Sequence, residues 1–195
     1  VFVSMLDNLD AKTQASITAA KRGHDVTLIS GPVCLPAPEG LTRELVESAQ
    51  DMHDAVLRGL PDSECLIMTA AVADWRPRQY SPRKLKKQEM SAVLELERTP
   101  DILEAVRSLK ERRIYIGFAA ETENIESEAR RKLALKALDL IVANDVSRSD
   151  AGFEVDTNAV TLIPKSGEAQ AIPLTSKLKV AEAIVTWLEE AANSI

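Results

Sequence analysis

The chain has 195 residues, 45% of them hydrophobic and 28% charged, with ordinary glycine and proline usage; this excludes a disordered or fibrous polypeptide and suits one globular domain with a real core. A formal charge of −6 and only 4% aromatic residues argue against a nucleic-acid or anionic-membrane partner, because phosphate contacts need positive surface and base stacking needs aromatic platforms. No apolar run approaches the roughly 20 residues that cross a bilayer, and Val1 to Met5 lacks the basic and hydrophobic regions of a secretion signal, so the expected compartment is the cytoplasm. Cys34 and Cys65 have no metal-type spacing and read as free thiols, and the lone His24 and His53 predict no metal site built from protein alone.

In chain order, residues 13 to 22 predict a helix ended by Gly23 in a left-handed cap. Asp25 to Ser30 is a β-branched run stopped by Gly31-Pro32, which predicts a buried strand, and the stretch from Pro32 to Pro38 reads as a loop. Leu41 to Ser48 alternates like an edge strand, Ala49 to Leu60 reads as a helix, and Glu64 to Ala70 as a second apolar strand. There follow a short alternating strand at Val93 to Glu97, a helix at Pro100 to Leu109, a strand at Arg113 to Phe118, a helix at Thr122 to Ala137 and a strand at Asp139 to Ala143. Ala159 to Pro164 and Ala169 to Pro173 flank a glycine-containing turn as a hairpin, and Ser176 to Ala192 closes the chain as an amphipathic helix. Strands separated by helices pair in parallel through right-handed crossovers, so the fold class is α/β: a Rossmann-like, mostly parallel sheet flanked by helices, with a C-terminal hairpin and helix.

Ligands of open parallel sheets sit beyond the carboxyl ends of the strands, which directs attention to Ala70-Ala-Val-Ala-Asp-Trp-Arg-Pro77, Gly117 to Thr122 and Ala143 to Val146. Asp74 suits a magnesium ion brought in by a nucleotide, since that cation takes one or two carboxylates plus phosphate oxygens; a turn aspartate capping its own loop fits equally well. Between Arg76 and Lys87 lie six basic residues and no acidic one, and Pro77 and Pro82 bar a regular helix. That segment reads either as a mobile cationic flap over phosphates or as a solvated loop. Thr99-Pro100-Asp101 has the grammar of a helix start, with Thr99 as N-cap and Asp101 in the positive field of the terminus. Thr122 caps the next helix, Gly117 permits close backbone approach to a ligand, and Lys132 and Lys136 share one helical face. The glycines form neither Gly-x-Gly-x-x-Gly nor a P-loop, which disfavours a dinucleotide dehydrogenase or a Walker ATPase.

The ordered string Val26-Thr-Leu-Ile-Ser-Gly-Pro32, Ala70 to Pro77, Lys84-Leu-Lys-Lys87, Thr99-Pro-Asp-Ile-Leu103, Gly117-Phe-Ala-Ala-Glu-Thr122, Asp139 to Val146, and Phe153 with Asp156 and Asn158 resembles phosphopantothenate–cysteine ligase, the synthetase half of the bifunctional coenzyme A biosynthesis flavoprotein of bacteria. The resemblance implies activation of the phosphopantothenate carboxylate by CTP as an acyl-cytidylate, then attack by the amine of L-cysteine, with Mg²⁺ as cofactor, a homodimeric assembly and a fused flavin-dependent decarboxylase upstream. It implies that Ala73, Asp74 and Trp75 form the cytosine and metal-binding loop, that Lys84 is the catalytic flap lysine, and that Asp101, Phe118, Lys132, Lys136 and Asn144 belong to the nucleotide site. CTP rests on likeness to the bacterial branch, since other branches use ATP. The pattern departs from the family at the N-terminus, where the family's arginine and catalytic asparagine fall on Val1 and Met5 and no Ser-Ser-Gly loop follows. The expectation is therefore one ligase domain over residues 1–195 with its N-terminal strand and phosphate loop missing or altered. The alternative is a catalytically impaired nucleotide-binding or dimerisation module of the same fold.

Overall fold

The strand runs picked out by their β-branched residues pair into one sheet. The computed structural model describes residues 2–4, 11–33, 38–79, 81, 83, 84, 86, 93–121, 125–145 and 157–194. In chain order the elements are β1 (Phe2–Ser4), α1 (Ala11–Lys21), β2 (Thr27–Ser30), β3 (Thr42–Leu45), α2 (Ala49–Gly59), β4 (Cys65–Met68), β5 (Trp75–Pro77) and β6 (Leu96–Arg98). They continue with α3 (Ile102–Val106), which runs into a 3-10 turn at Arg107–Leu109, then β7 (Ile114–Glu121), α4 (Ile125–Leu135), β8 (Leu140–Asp145), β9 (Thr157–Pro164), β10 (Gln170–Ser176) and α5 (Lys177–Ala192).

Eight strands form the main sheet in the order β10-β9-β8-β7-β4-β1-β2-β3. From β3 to β8 every pairing is parallel, and β9 and β10 add an antiparallel edge. The chain winds outward from β1 through β2 to β3, then returns to β4 beside β1 and winds the other way. The crossover directions reverse between β1 and β4, and that switch point is where open α/β sheets bind ligands. Phe2–Ser4 therefore takes the middle of the sheet, pairing with β2 on one side and β4 on the other.

Two apolar layers cover the sheet. Met52 and Val56 of α2, Ile102 and Val106 of α3, and Ala129 and Leu133 of α4 pack on one side with Leu66, Tyr115 and Ile141. Ala15 and Ala19 of α1, and Val180, Ile184 and Leu188 of α5, pack on the other with Leu28, Ile67, Ile116 and Leu140. Each fully buried Leu or Ile contributes about 1.5–3 kcal/mol, so these two layers carry the fold. Tyr115 is wholly buried, and its hydroxyl donates to Val106 O at 3.1 Å, which ties β7 to the end of α3. Burial also pushes the Tyr115 hydroxyl and the Cys65 thiol up to about 12, so neither ionises near neutral pH. Cys34 lies outside the described residues.

Several local expectations change. Gly23 adopts the left-handed cap, with φ 92°. The edge strand is shorter than Leu41 to Ser48, because Ser48 is the N-cap of α2 in a reciprocal capping box with Asp51. Thr99 does not cap the helix that follows it. Asp101 does, accepting from Glu104 N at 3.1 Å, and Thr99 turns its hydroxyl elsewhere. The helix around Lys132 ends at Leu135, and Ala137 takes φ 53° while Leu138 N reaches back to Leu133 O at 2.9 Å. Gly117 serves packing rather than ligand approach: a Cβ there would lie 2.6 Å from Leu138 Cδ1. Val1, Met5 and Thr122 lie outside the described residues.

Candidate ligand cleft at the carboxyl edge of the sheet

β4 ends at Met68 and releases a run of small residues, Ala70 to Ala73, beside the switch point. Bulkier side chains would close the space over this edge. Thr99 staples the run in place, its hydroxyl donating to Ala73 O and its amide to Asp74 O at 3.0 Å. The chain then leaves as β5, which pairs antiparallel with β6 in a separate two-stranded ribbon. A cavity of about 300 Å³ opens between this root and the start of α2, bounded by Gly31, Ser48, Met52, Ala73, Trp75 and Thr99 among others. That is the lower end of the size range for small-molecule sites and suits one flat ring.

The first residues of the cationic segment are held in the ribbon. Arg76 Nε donates to Glu97 Oε1 at 2.7 Å, Arg78 bonds Glu95 at 3.3 Å, and the Arg98 guanidinium lies 4.9 Å from the centre of the Trp75 ring. The first arginines of the cationic segment are thus neutralised by carboxylates on the returning strand. Lys84 lies beyond the ribbon and is exposed; Lys87 lies outside the described residues. The Val93 to Glu97 strand begins later, at Leu96, and its partner at Trp75–Pro77 was missed, because a three-residue strand containing a proline carries almost no period-2 signal.

The expected site residues fall into three groups. Ala73, Asp74 and Trp75 are together at the root of the ribbon, with Asp74 exposed. Asp101 and Lys136 meet on the α3/α4 side of the sheet, where Asp101 accepts from Lys136 Nζ while Glu104 lies 3.5 Å from the same amine. Burial works to raise the Asp101 carboxyl, but the Lys136 contact and the Glu104 amide outweigh it and hold the group below its usual range. Lys132 is half-buried one turn before Lys136. Phe118 packs on the opposite side, against the α1/α5 layer, and Asn144 shares that side by strand alternation with Leu140 and Val142. The Asn144 amide oxygen is buried with no hydrogen-bond partner among the described residues.

Among the described residues no three His, Cys, Asp or Glu side chains gather as a metal cluster. A single exposed carboxylate at Asp74 fits a hard cation that arrives with nucleotide phosphates, which supply the remaining oxygens. Among the same residues, no helix is long and apolar enough to cross a membrane.

Strand order, switch point and cleft define a doubly wound α/β protein with an open cleft at the carboxyl edge of its sheet. The chain belongs to the family of the DNA/pantothenate metabolism flavoprotein C-terminal domain, which it matches over residues 13–191. It is 50% identical over 163 residues to the coenzyme A biosynthesis bifunctional protein CoaBC of Bacillus subtilis, an alignment covering 83% of this chain and 40% of that protein. The chain thus spans about two fifths of that curated relative's length. The crystal structure of the C-terminal domain of a CoaBC protein superposes with a TM-score of 0.81 at 33% identity, covering 100% of this chain and 98% of that one. A Cab2 variant in complex with phosphopantothenate-cysteine shares the fold at a TM-score of 0.69 and 12% identity, over 99% of this chain and 88% of its own.

Proposed function

We propose that the domain joins phosphopantothenate to L-cysteine at the expense of CTP. The observation that supports this most strongly is the 50% identity to CoaBC across 83% of the chain, which includes the loop at the root of the ribbon. In this reading the acid's carboxylate attacks the α-phosphorus of CTP and expels pyrophosphate, giving an acyl-cytidylate. The cysteine amine then attacks the acyl carbon and releases CMP. Ala73 and Trp75 border the cavity and hold the cytosine ring, while Asp74 holds Mg²⁺, which offsets the phosphate charge. The nucleotide crosses the sheet edge, with Asp101, Lys132 and Lys136 reaching it from the α3/α4 side and Phe118 and Asn144 from the α1/α5 side, and with Asp101 reaching it only by sharing its bond to Lys136. Lys84 closes over the reacting phosphate.

Pyrophosphate release tests the reading. With CTP, phosphopantothenate and Mg²⁺ the chain should release pyrophosphate, and cysteine should then free CMP. If it neither releases pyrophosphate nor binds CTP, the ligase reading fails and a non-catalytic module of the same fold takes its place. Asp74→Asn should weaken CTP binding by about tenfold in Mg²⁺, the value of one charge-assisted contact, and leave it unchanged in EDTA. Equal affinities for mutant and wild type in Mg²⁺ would remove Asp74 from the metal site.

The same reading makes the protein a homodimer. Register puts Trp75, Pro77 and Leu96 on one side of the ribbon, opposite the Arg76–Glu97 pair. Arg98 lies against the Trp75 ring on this face, and Leu96, 46% exposed beside Pro77, leaves an apolar patch that a second copy would cover. Leu96→Asp should shift sedimentation from dimer to monomer; a wild type that sediments as a monomer would discard the assembly. Location in the cytoplasm and a flavin-dependent decarboxylase in the same polypeptide belong to this reading too, and are checked by cell fractionation and by the length of the cellular protein.

A further inference from the structure

The backbone at Asp74 is held from outside its own loop. Ala73 and Trp75 both border the cavity, and Asp74 stands between them where the chain bends into the ribbon. The Ala73 carbonyl belongs to the peptide unit before the Asp74 Cα, and the Asp74 carbonyl to the unit after it. Thr99 bonds both: its hydroxyl donates to Ala73 O and its amide to Asp74 O at 3.0 Å. Peptide units are planar, so only the two rotations φ and ψ remain between neighbouring units. Fixing the planes on both sides of one Cα fixes those rotations, and with them the direction in which the side chain leaves the backbone. One residue distant in sequence thus sets the Asp74 Cα–Cβ bond.

Asp74 has nothing else to aim it. Among the described residues its exposed carboxylate makes no hydrogen bond and no ion pair. Thr99, by contrast, is committed on every side. It is half-buried, and Pro100 directly after it biases its backbone to the extended form. Its hydroxyl is not spent on α3, because Asp101 accepts the Glu104 amide at the start of that helix. Nor does the ribbon use it, since the Trp75–Arg98 and Arg76–Glu97 pairing is made by main chain. The hydroxyl is left for the Ala73 carbonyl alone.

We propose that Thr99 is a positioning residue: its hydroxyl and amide fix the two peptide planes flanking Asp74 and so point the Asp74 carboxylate at the Mg²⁺ that accompanies the nucleotide phosphates. The metal and the nucleotide rest on the ligase reading; the hold on the Asp74 backbone does not.

Thr99→Val keeps the β-branched shape and the amide and removes only the hydroxyl, whereas Thr99→Ser keeps the hydroxyl. Calorimetric titrations of the full chain with CTP, in Mg²⁺ and in EDTA, compare both variants with wild type. Thr99→Val should bind CTP about fivefold more weakly in Mg²⁺, the net value of one hydrogen bond, and equally well in EDTA. Thr99→Ser should restore the affinity to within about twofold. Added to Asp74→Asn, the valine should cost nothing further, because the carboxylate it misdirects is already gone. An equal loss in EDTA, or an undiminished loss beside Asp74→Asn, would mean that Thr99 shapes the cavity instead of the carboxylate, and would overturn the proposal. Unchanged affinity in Thr99→Val would overturn it too and leave the ligase reading standing. Amide hydrogen exchange of the free chain gives a second measurement that needs no ligand. The amide at position 99, bonded to Asp74 O, should exchange about fivefold faster in Thr99→Val and at the wild-type rate in Thr99→Ser. Exchange unaltered in the valine variant would overturn the hold on Asp74 whatever CTP does. A wild type that binds no CTP would sink the ligase reading and the metal with it, while faster exchange in Thr99→Val alone would keep Thr99 as the residue that sets the Asp74 backbone.

Discussion

Lys84→Gln should lower kcat by about two orders of magnitude, the usual cost of removing one preorganised charge that acts where negative charge develops. The melting temperature should stay within about 1 °C, because substitutions at exposed sites away from the core rarely exceed about 0.5 kcal/mol. Arg76 and Arg78 cannot replace the lost charge, since Glu97 and Glu95 already hold them in the ribbon. A contact made only in the transition state lowers kcat and kcat/KM together, so KM for CTP should barely move. Steady-state kinetics on both proteins decide the matter: equal kcat in an active wild type and the variant would remove Lys84 from catalysis.

Gly117→Val should destabilise the domain by about 2–3 kcal/mol, the upper range for overpacking a buried site. The new Cβ would lie 2.6 Å from Leu138 Cδ1, and Leu138 is itself 2% exposed. The backbone has little freedom to retreat, because Gly117 pairs with Met68 on one side and Ile141 on the other. Leu138 cannot easily withdraw either: it follows Ala137 in its left-handed conformation and is bonded back to Leu133. Urea denaturation measures the loss, and Leu138→Ala in the same chain should recover part of it, since the clash then disappears. A loss below about 0.5 kcal/mol would show that the layer can reorganise around a branched side chain.

The sheet was legible because its strands are short β-branched runs closed by glycine, proline or a helix signal, and Asp25 to Ser30 and Glu64 to Ala70 needed nothing more. The edge of the site was legible for a topological reason: Ala73, Asp74 and Trp75 follow a core strand. What escaped the sequence was long-range pairing. Nothing near Arg76 or Arg78 in the chain announces that Glu97 and Glu95 return beside them, so the ion-paired ribbon at the start of the segment is not legible there. The resemblance sets Asp101 and Lys136 in a nucleotide site, but no local signal announces that the two also pair with each other between α3 and α4. Thr99 had the right chemistry for a cap, but its hydroxyl found the Ala73 carbonyl across a loop and left the cap to Asp101.

The two hydrogen bonds from Thr99 to Ala73 and Asp74 have a mechanical meaning. They weld the rung bordering the ring-sized hollow to the base of the projecting arm, so that neither can tilt alone. Whatever fills the hollow therefore presses on the same backbone from which the arm springs.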